Sequence, residues 1–398
     1  MNDEKIFITG MGIISALGNS LDETFQALKA NKINDSKIDS FECEIDKPVF
    51  KANFLNKTLN SEMRTKQLAD IAFKQALVQA EIIDPDKSGF CRPDLKNLRI
   101  GICCGTTVAS QLNDIEFYRQ FRAGRVKSYD AVEHYLSGNI SQALLLEHNF
   151  SGPGINVVNA CSSGTDAIGV AMAWIKKGIC DIVIAGGADE LNRVPVAGFN
   201  SLGILSDSVC KPFDKNRDGL NLGEGAAFVV LEKESIALAR KISTLAECCS
   251  YATAADGYHL TAPRPDGQGL KTAIKKALLN ADLSAKDIDF INAHGTATKN
   301  NDQVEGLVFK NMFAQKTEVF SIKGYTGHTL GAAGAIDAVM TILSLEKQWL
   351  PMNAGFSNED PDIALSPVTE NINFKAEYAL STSLAFGGKN SAVIFRRA

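Results

Sequence analysis

The 398-residue chain predicts an α/β fold made of two similar halves. Short runs rich in β-branched and apolar residues alternate with helical stretches from end to end, without a linker, low-complexity tract or charge block. The second half also echoes the first. Leu-Arg-Ile-Gly-Ile-Cys-Cys-Gly-Thr (98–106) shares its pattern with Ile-Asp-Phe-Ile-Asn-Ala-His-Gly-Thr (288–296), and the strand–turn–helix around Cys161 is matched by 323–347. The halves meet near residue 250, giving expected domains 1–250 and 251–398.

In order, strands are expected at 6–9 (Ile-Phe-Ile-Thr), 98–103, 155–159, 182–185 (Ile-Val-Ile-Ala) and 227–231 in the first half. The second half supplies 288–292, 319–322, 378–381 and 392–395 (Ala-Val-Ile-Phe). Helices are expected at 21–30, 63–80, 165–177, 270–281, 303–309 and 332–347, where apolar positions recur every three or four residues. The helix over 165–177 is apolar almost all round, so it should be buried between sheets.

Composition narrows the class. With 45% hydrophobic and 22% charged residues the chain reads as globular, and its net charge of −5 argues against a general nucleic-acid binder. The opening Met-Asn-Asp-Glu-Lys lacks the basic and apolar regions of a signal peptide. No apolar run approaches the ~18–20 residues that span a bilayer, so no membrane partner is expected. The nine cysteines form no Cys-x-x-Cys pair, and eight of them read as small buried hydrophobes in a reducing cytoplasm.

The ninth is Cys161, in Val-Val-Asn-Ala-Cys-Ser-Ser-Gly-Thr. It leaves a β-run at the start of the buried helix, where free N–H groups and a positive dipole end face the thiol and favour thiolate. Two of the five histidines, His294 in Asn-Ala-His-Gly-Thr-Ala-Thr and His328 in Lys-Gly-Tyr-Thr-Gly-His-Thr-Leu-Gly-Ala-Ala-Gly, lie in Gly/Thr-rich turns after strand-like runs. A neutral imidazole N–H aimed at a carbonyl oxygen stabilises developing negative charge. Lys323 precedes His328 at a strand end. No metal is expected, because no carboxylate or thiol stands at ligand spacing.

Together these motifs resemble the Cys-His-His constellation of the elongating β-ketoacyl-acyl-carrier-protein synthases, and the likeness runs over essentially the whole chain. The resemblance implies a thiolase-like fold, with two similar halves in a layered α-β-α-β-α arrangement. It implies an acyltransferase that joins acyl-Cys161 to malonyl-acyl carrier protein by decarboxylative Claisen condensation. His294 and His328 would hold the enolate and Lys323 the local charge balance. In Leu-Ala-Phe-Gly-Gly-Lys-Asn (384–390), the N–H groups of Phe386 and Cys161 would form the oxyanion hole. The Phe386 ring would gate the acyl pocket on the flexible Gly387. Thr296, Thr298 and Thr261 would line the phosphopantetheine track, while His259 is structural. Val108 would limit chain length, and Arg64, Lys66 and Lys211 would dock the acidic carrier protein.

No cofactor is implied beyond the carrier's phosphopantetheine. A homodimer and a heterodimer with a paralogous subunit both fit. Lys389 replaces the family's usual Thr, Leu384 a second aromatic, and Asp337 a frequent Glu. These departures leave a polyene or type II polyketide ketosynthase as the alternative. A silent chain-length partner is disfavoured by Cys161 with both histidines, and a degradative thiolase by the lack of a second cysteine in the C-terminal loop.

Overall fold

A computed structural model describes residues 4–39, 41, 43–52, 64–85, 93–107, 115–129, 132, 140–314, 316–363 and 365–398. Val108 lies outside the described residues.

The main sheet takes five strands from each half. The first five are β1 (Ile6–Ile14), β2 (Ile100–Gly105), β3 (Gly154–Val157), β4 (Ile182–Asp189) and β5 (Gly225–Lys233). The second five are β6 (Ala246–Ala255), β7 (Phe290–Asn292), β8 (Glu318–Phe320), β9 (Tyr378–Ala385) and β10 (Lys389–Arg397). They lie in the order β8-β7-β9-β10-β6-β1-β5-β4-β2-β3. In the first half, β3, β2 and β4 run parallel and β5 and β1 follow antiparallel. The second half repeats this with β8, β7 and β9 parallel, then β10 and β6 antiparallel. The halves join at one short seam, where Phe7 pairs with Glu247 and Ile8 with Ala246. The sequence echo therefore has a structural counterpart: 98–106 contains β2 and 288–296 contains its equivalent β7.

The helices used below are α1 (Leu21–Lys29), α2 (Arg64–Gln79), α3 (Ile115–Arg122), α4 (Ile140–His148), α5 (Ser163–Lys176), α6 (Arg193–Ser201), α7 (Glu234–Arg240), α8 (Gln268–Asn280), α9 (Lys299–Met312) and α10 (Ala333–Lys347). On the outside, α2 and α4 cover the first five strands, and α8 packs on β6 and β10. Between them α5 and α10 touch each other and strands of both halves. This is the expected layering. The two central helices cross closely because glycines face the contact. A Cβ on Gly164 would sit 2.6 Å from Ala335 N, and one on Gly334 2.1 Å from Thr165 Oγ1. Every residue of α10 from Ala333 to Leu345 is buried, which explains its nearly all-apolar sequence.

The expected division at 250 falls inside β6, and the second set of strands begins at Ala246. The inward positions of β6 are Ala246, Cys248, Ser250 and Ala252. Small and polar, they make no β-branched run. The short helices α3, α4, α6 and α7 also lay outside the sequence reading.

Candidate active site

Cys161 sits in the tight turn between β3 and α5. Ala160 takes a left-handed conformation (φ 50°), which turns the chain sharply enough to present the next residue at the helix start. Side chains hold this strained turn. Ser163 Oγ donates to Ala160 O (2.6 Å) and accepts the Asn159 N–H (2.8 Å). Buried Asp166 accepts from Ser162 Oγ (2.9 Å) and Asn159 Nδ2 in the first half, and from Tyr251 OH (2.7 Å) and Ser391 Oγ in the second.

The Cys161 sulfur is buried, and the backbone N–H groups of Phe386 and of Cys161 itself act to lower its pKa. Burial nevertheless pushes the thiol up to about 11, against the opposing Lys323 charge and those N–H groups. The thiolate expected from the helix start is therefore overturned: desolvation outweighs it, and the resting group is a thiol.

His294 follows β7, and one carboxylate fixes its backbone. Glu305 of α9 accepts the N–H groups of His294 (2.8 Å) and Gly295 (2.7 Å), the Thr382 hydroxyl (3.0 Å) and Asn301 Nδ2 (2.8 Å). Burial raises Glu305 to about 7. The His294 ring meets the His328 ring edge-to-face, with centroids 5.2 Å apart. His328 is held by its N–H, which donates to Asn221 O (2.7 Å), and by its Nδ1, which accepts the Leu330 N–H (3.3 Å). With Nδ1 an acceptor, the imidazole proton resides on Nε2. Burial and then the Lys323 charge depress His328 to about 3; burial, Lys323 and His328 hold His294 well below its ordinary value. Both rings are therefore neutral near pH 7.

Lys323 lies behind them, fully enclosed, with Nζ donating to Asp337 Oδ2 at 2.9 Å. Burial lifts the Asp337 carboxyl to about 6, and Lys323 opposes this.

These groups open onto a cleft of about 360 Å³, lined by Cys161, His294, His328 and Phe386 together with Thr261, Thr296 and Thr298. The Thr296 and Thr298 hydroxyls are 3.0 Å apart. Phe386 sits in the hairpin between β9 and β10, where Gly387 (φ 81°) and Gly388 (φ 71°) take conformations that favour glycine. The Gly387 N–H donates to Leu260 O at 2.7 Å. His259 is structural, its Nδ1 accepting the N–H groups of Thr261 (3.1 Å) and Ala262 (3.2 Å).

Two of the expected docking cations are paired with acids of the chain. Arg64 pairs with buried Glu224, and its Nε donates at 2.8 Å. Lys66 bridges Asp70 (2.7 Å) and Glu147 (2.9 Å). Lys211 is half-buried, and Gly355 packs against its stem.

Sequence reasoning also missed Phe199 of α6. Its ring stacks on Phe386 (centroids 5.3 Å, 18° between planes) and meets His328 edge-on at 6.3 Å. It missed Glu305 as well, although Asp302 and Glu305 stand one helical turn apart on the buried face of α9.

Known proteins resemble this chain over its whole length. Residues 3–237 match the family model for the β-ketoacyl synthase N-terminal domain, and residues 245–357 that for the C-terminal domain. The chain is 31% identical to a 3-oxoacyl-[acyl-carrier-protein] synthase 2 of Coxiella burnetii, over 100% of this chain and 99% of the relative. Among solved structures, the ishigamide ketosynthase/chain length factor aligns with a TM-score of 0.90 at 27% identity, covering 100% of both chains. A type II polyketide synthase ketosynthase, bound to the hexaketide and in complex with its acyl-carrier protein, aligns at 0.88 and 26% identity, again over 100% of both.

Proposed function

This chain belongs to the β-ketoacyl synthase family, and on that premise we propose how its cleft carries out a decarboxylative Claisen condensation. The observation that carries the proposal is the convergence on one cleft of the Cys161 sulfur, the Phe386 N–H and two neutral imidazoles.

In the first half-reaction Cys161 attacks the acyl thioester. The N–H groups of Cys161 and Phe386 hold the tetrahedral oxyanion. The carrier leaves as its thiol, taking up the proton that Cys161 gives up. Malonyl thioester then enters. Loss of carbon dioxide leaves an enolate, whose oxygen accepts hydrogen bonds from His294 and His328. Its carbon attacks acyl-Cys161, and the β-ketoacyl thioester forms as the Cys161 sulfur departs and is protonated. Lys323, paired with Asp337, fixes the local charge and keeps both imidazoles neutral. A protonated imidazole would need a second buried positive charge beside Lys323.

Phe386 gates the acyl pocket, its ring resting on Phe199. Thr296, Thr298 and Thr261 guide the pantetheine arm. We place the domain division before Ala246, put the enzyme in the cytoplasm, and take acyl carrier protein and a second synthase subunit as its partners. Among the described residues no helix is long and apolar enough to cross a membrane. A second reading places the same reaction in polyene or polyketide synthesis. It is favoured by the likeness to a ketosynthase/chain length factor pair and by Leu384 and Lys389 at the cleft wall.

The test is intact-protein mass spectrometry after incubation with a panel of acyl-carrier proteins, with Cys161→Ala as control. A Cys161-dependent acyl adduct is expected, and the preferred chain names the pathway. The absence of any adduct overturns the nucleophile.

A further inference from the structure

We propose that Lys389 is a specificity-determining residue that binds an anionic oxygen group carried by the thioester donor; this rests on the condensing reading above. Lys389 opens β10 directly after the Phe386 turn, paired with Ala385 across the hairpin and with Ala255 on β6. Strand alternation puts it on the face of Ser391, whose hydroxyl reaches Asp166 in α5, the helix that begins at Cys161. Asn390 points the other way, donating to Asp256 Oδ1 at 3.0 Å. Lys389 thus faces the nucleophile's side of the sheet, and it lines the catalytic cleft.

Among the described residues, no ion pair or hydrogen bond engages its ammonium group. The acids on the cleft wall are already occupied. Asp218 accepts the Ser206 hydroxyl (2.6 Å), and Asp256 accepts from Asn390 and from the Arg264 N–H (2.9 Å). Lys299, the other cation of the cleft, is exposed at its rim. Lys389 is half-buried, so it is partly stripped of water without an internal counter-ion, and an incoming anion supplies one.

The malonyl carboxylate is a poor match. A cation holding it would stabilise the charge that must move onto the enolate, and would slow decarboxylation. Two unreacting anions remain: the phosphodiester of the carrier arm, or a carboxylate borne by the acyl chain itself.

The experiment measures the rate of Cys161 acylation by intact-protein mass spectrometry for wild type, Lys389→Met and Lys389→Arg. The donors are a neutral acyl-pantetheine, the same acyl-phosphopantetheine, and a dicarboxylic acyl-pantetheine. Lys389→Met should slow one anionic donor by about 10–100-fold relative to the neutral one, as for a lost hydrogen bond to a charged group. Lys389→Arg should restore most of the rate. A loss confined to the phosphopantetheine donor assigns the phosphodiester, and one confined to the dicarboxylic donor assigns the acyl carboxylate. Equal changes for all three donors, no change, or a loss seen only in the malonyl step overturns the proposal but leaves the condensing reading intact. Failure of wild type to acylate with every donor overturns both.

Discussion

His328→Ala separates the two half-reactions. Leu330 N–H donates to Nδ1, and burial with Lys323 holds the ring at about 3, so the ring offers one neutral Nε2–H to the cleft. An oxyanion-type donor of this kind is worth about 2.7–4 kcal/mol, or roughly 100–1000-fold in rate. In the proposed mechanism, acylation of Cys161 relies on different donors, the N–H groups of Cys161 and Phe386. The variant, pre-acylated on Cys161, should therefore release carbon dioxide from malonyl-carrier protein about 100–1000-fold more slowly. Its acylation rate, read by mass spectrometry, should stay within about tenfold of wild type. The wild-type decarboxylation rate should also show no histidine limb near pH 6.5, because the ring is already neutral far below that pH. A loss under tenfold, an equal loss in the acylation step, or a limb at the ordinary histidine pKa would refute the enolate assignment.

Asp337→Asn leaves the enclosed Lys323 charge without its partner and should destabilise the protein by about 3–5 kcal/mol, read as a lower urea midpoint. Glu305 is raised to about 7 in the folded state. Its contribution is thus fully present below about pH 4.5 and is lost as pH rises through 7. Relative to Glu305→Gln, wild type should lose thermal stability over that window; parallel curves for the two proteins would contradict this. Gly164→Val places methyl groups against Ala335 in the α5–α10 crossing and should lower the melting temperature by several degrees while slowing Cys161 acylation. Phe199→Ala removes the ring stacked on Phe386 and should alter the preferred acyl length more than the maximal rate, measured across a chain-length series.

Much of this was legible in the sequence because chemistry of this kind leaves short-range marks. Cys161 and His328 each sit at a strand-to-helix turn, where small residues and glycines are needed locally. The β2/β7 echo is visible because equivalent buried strands need similar apolar runs. What stayed hidden depends on long-range contacts. Phe199 gains meaning only from Phe386, and Glu305 only from the backbone N–H groups of His294 and Gly295. The partner of Arg64 was hidden for the same reason, since Glu224 lies far along the chain. The resting state of Cys161 turned on desolvation, which a helix-start motif does not report.

The seam between β1 and β6 has a consequence for how the gene can be divided. The proposed nucleophile comes from the first half and both imidazoles from the second, while Asp166 is gripped by side chains of each. A chain cut between Arg240 and Ala246 would leave one fragment with a thiol but no enolate donors, and another with the donors but nothing to acylate. Neither piece would be a weaker enzyme; each would be inert, and activity would return only on co-expression and reassembly. The repeated strand frame would thus be indivisible as a catalyst.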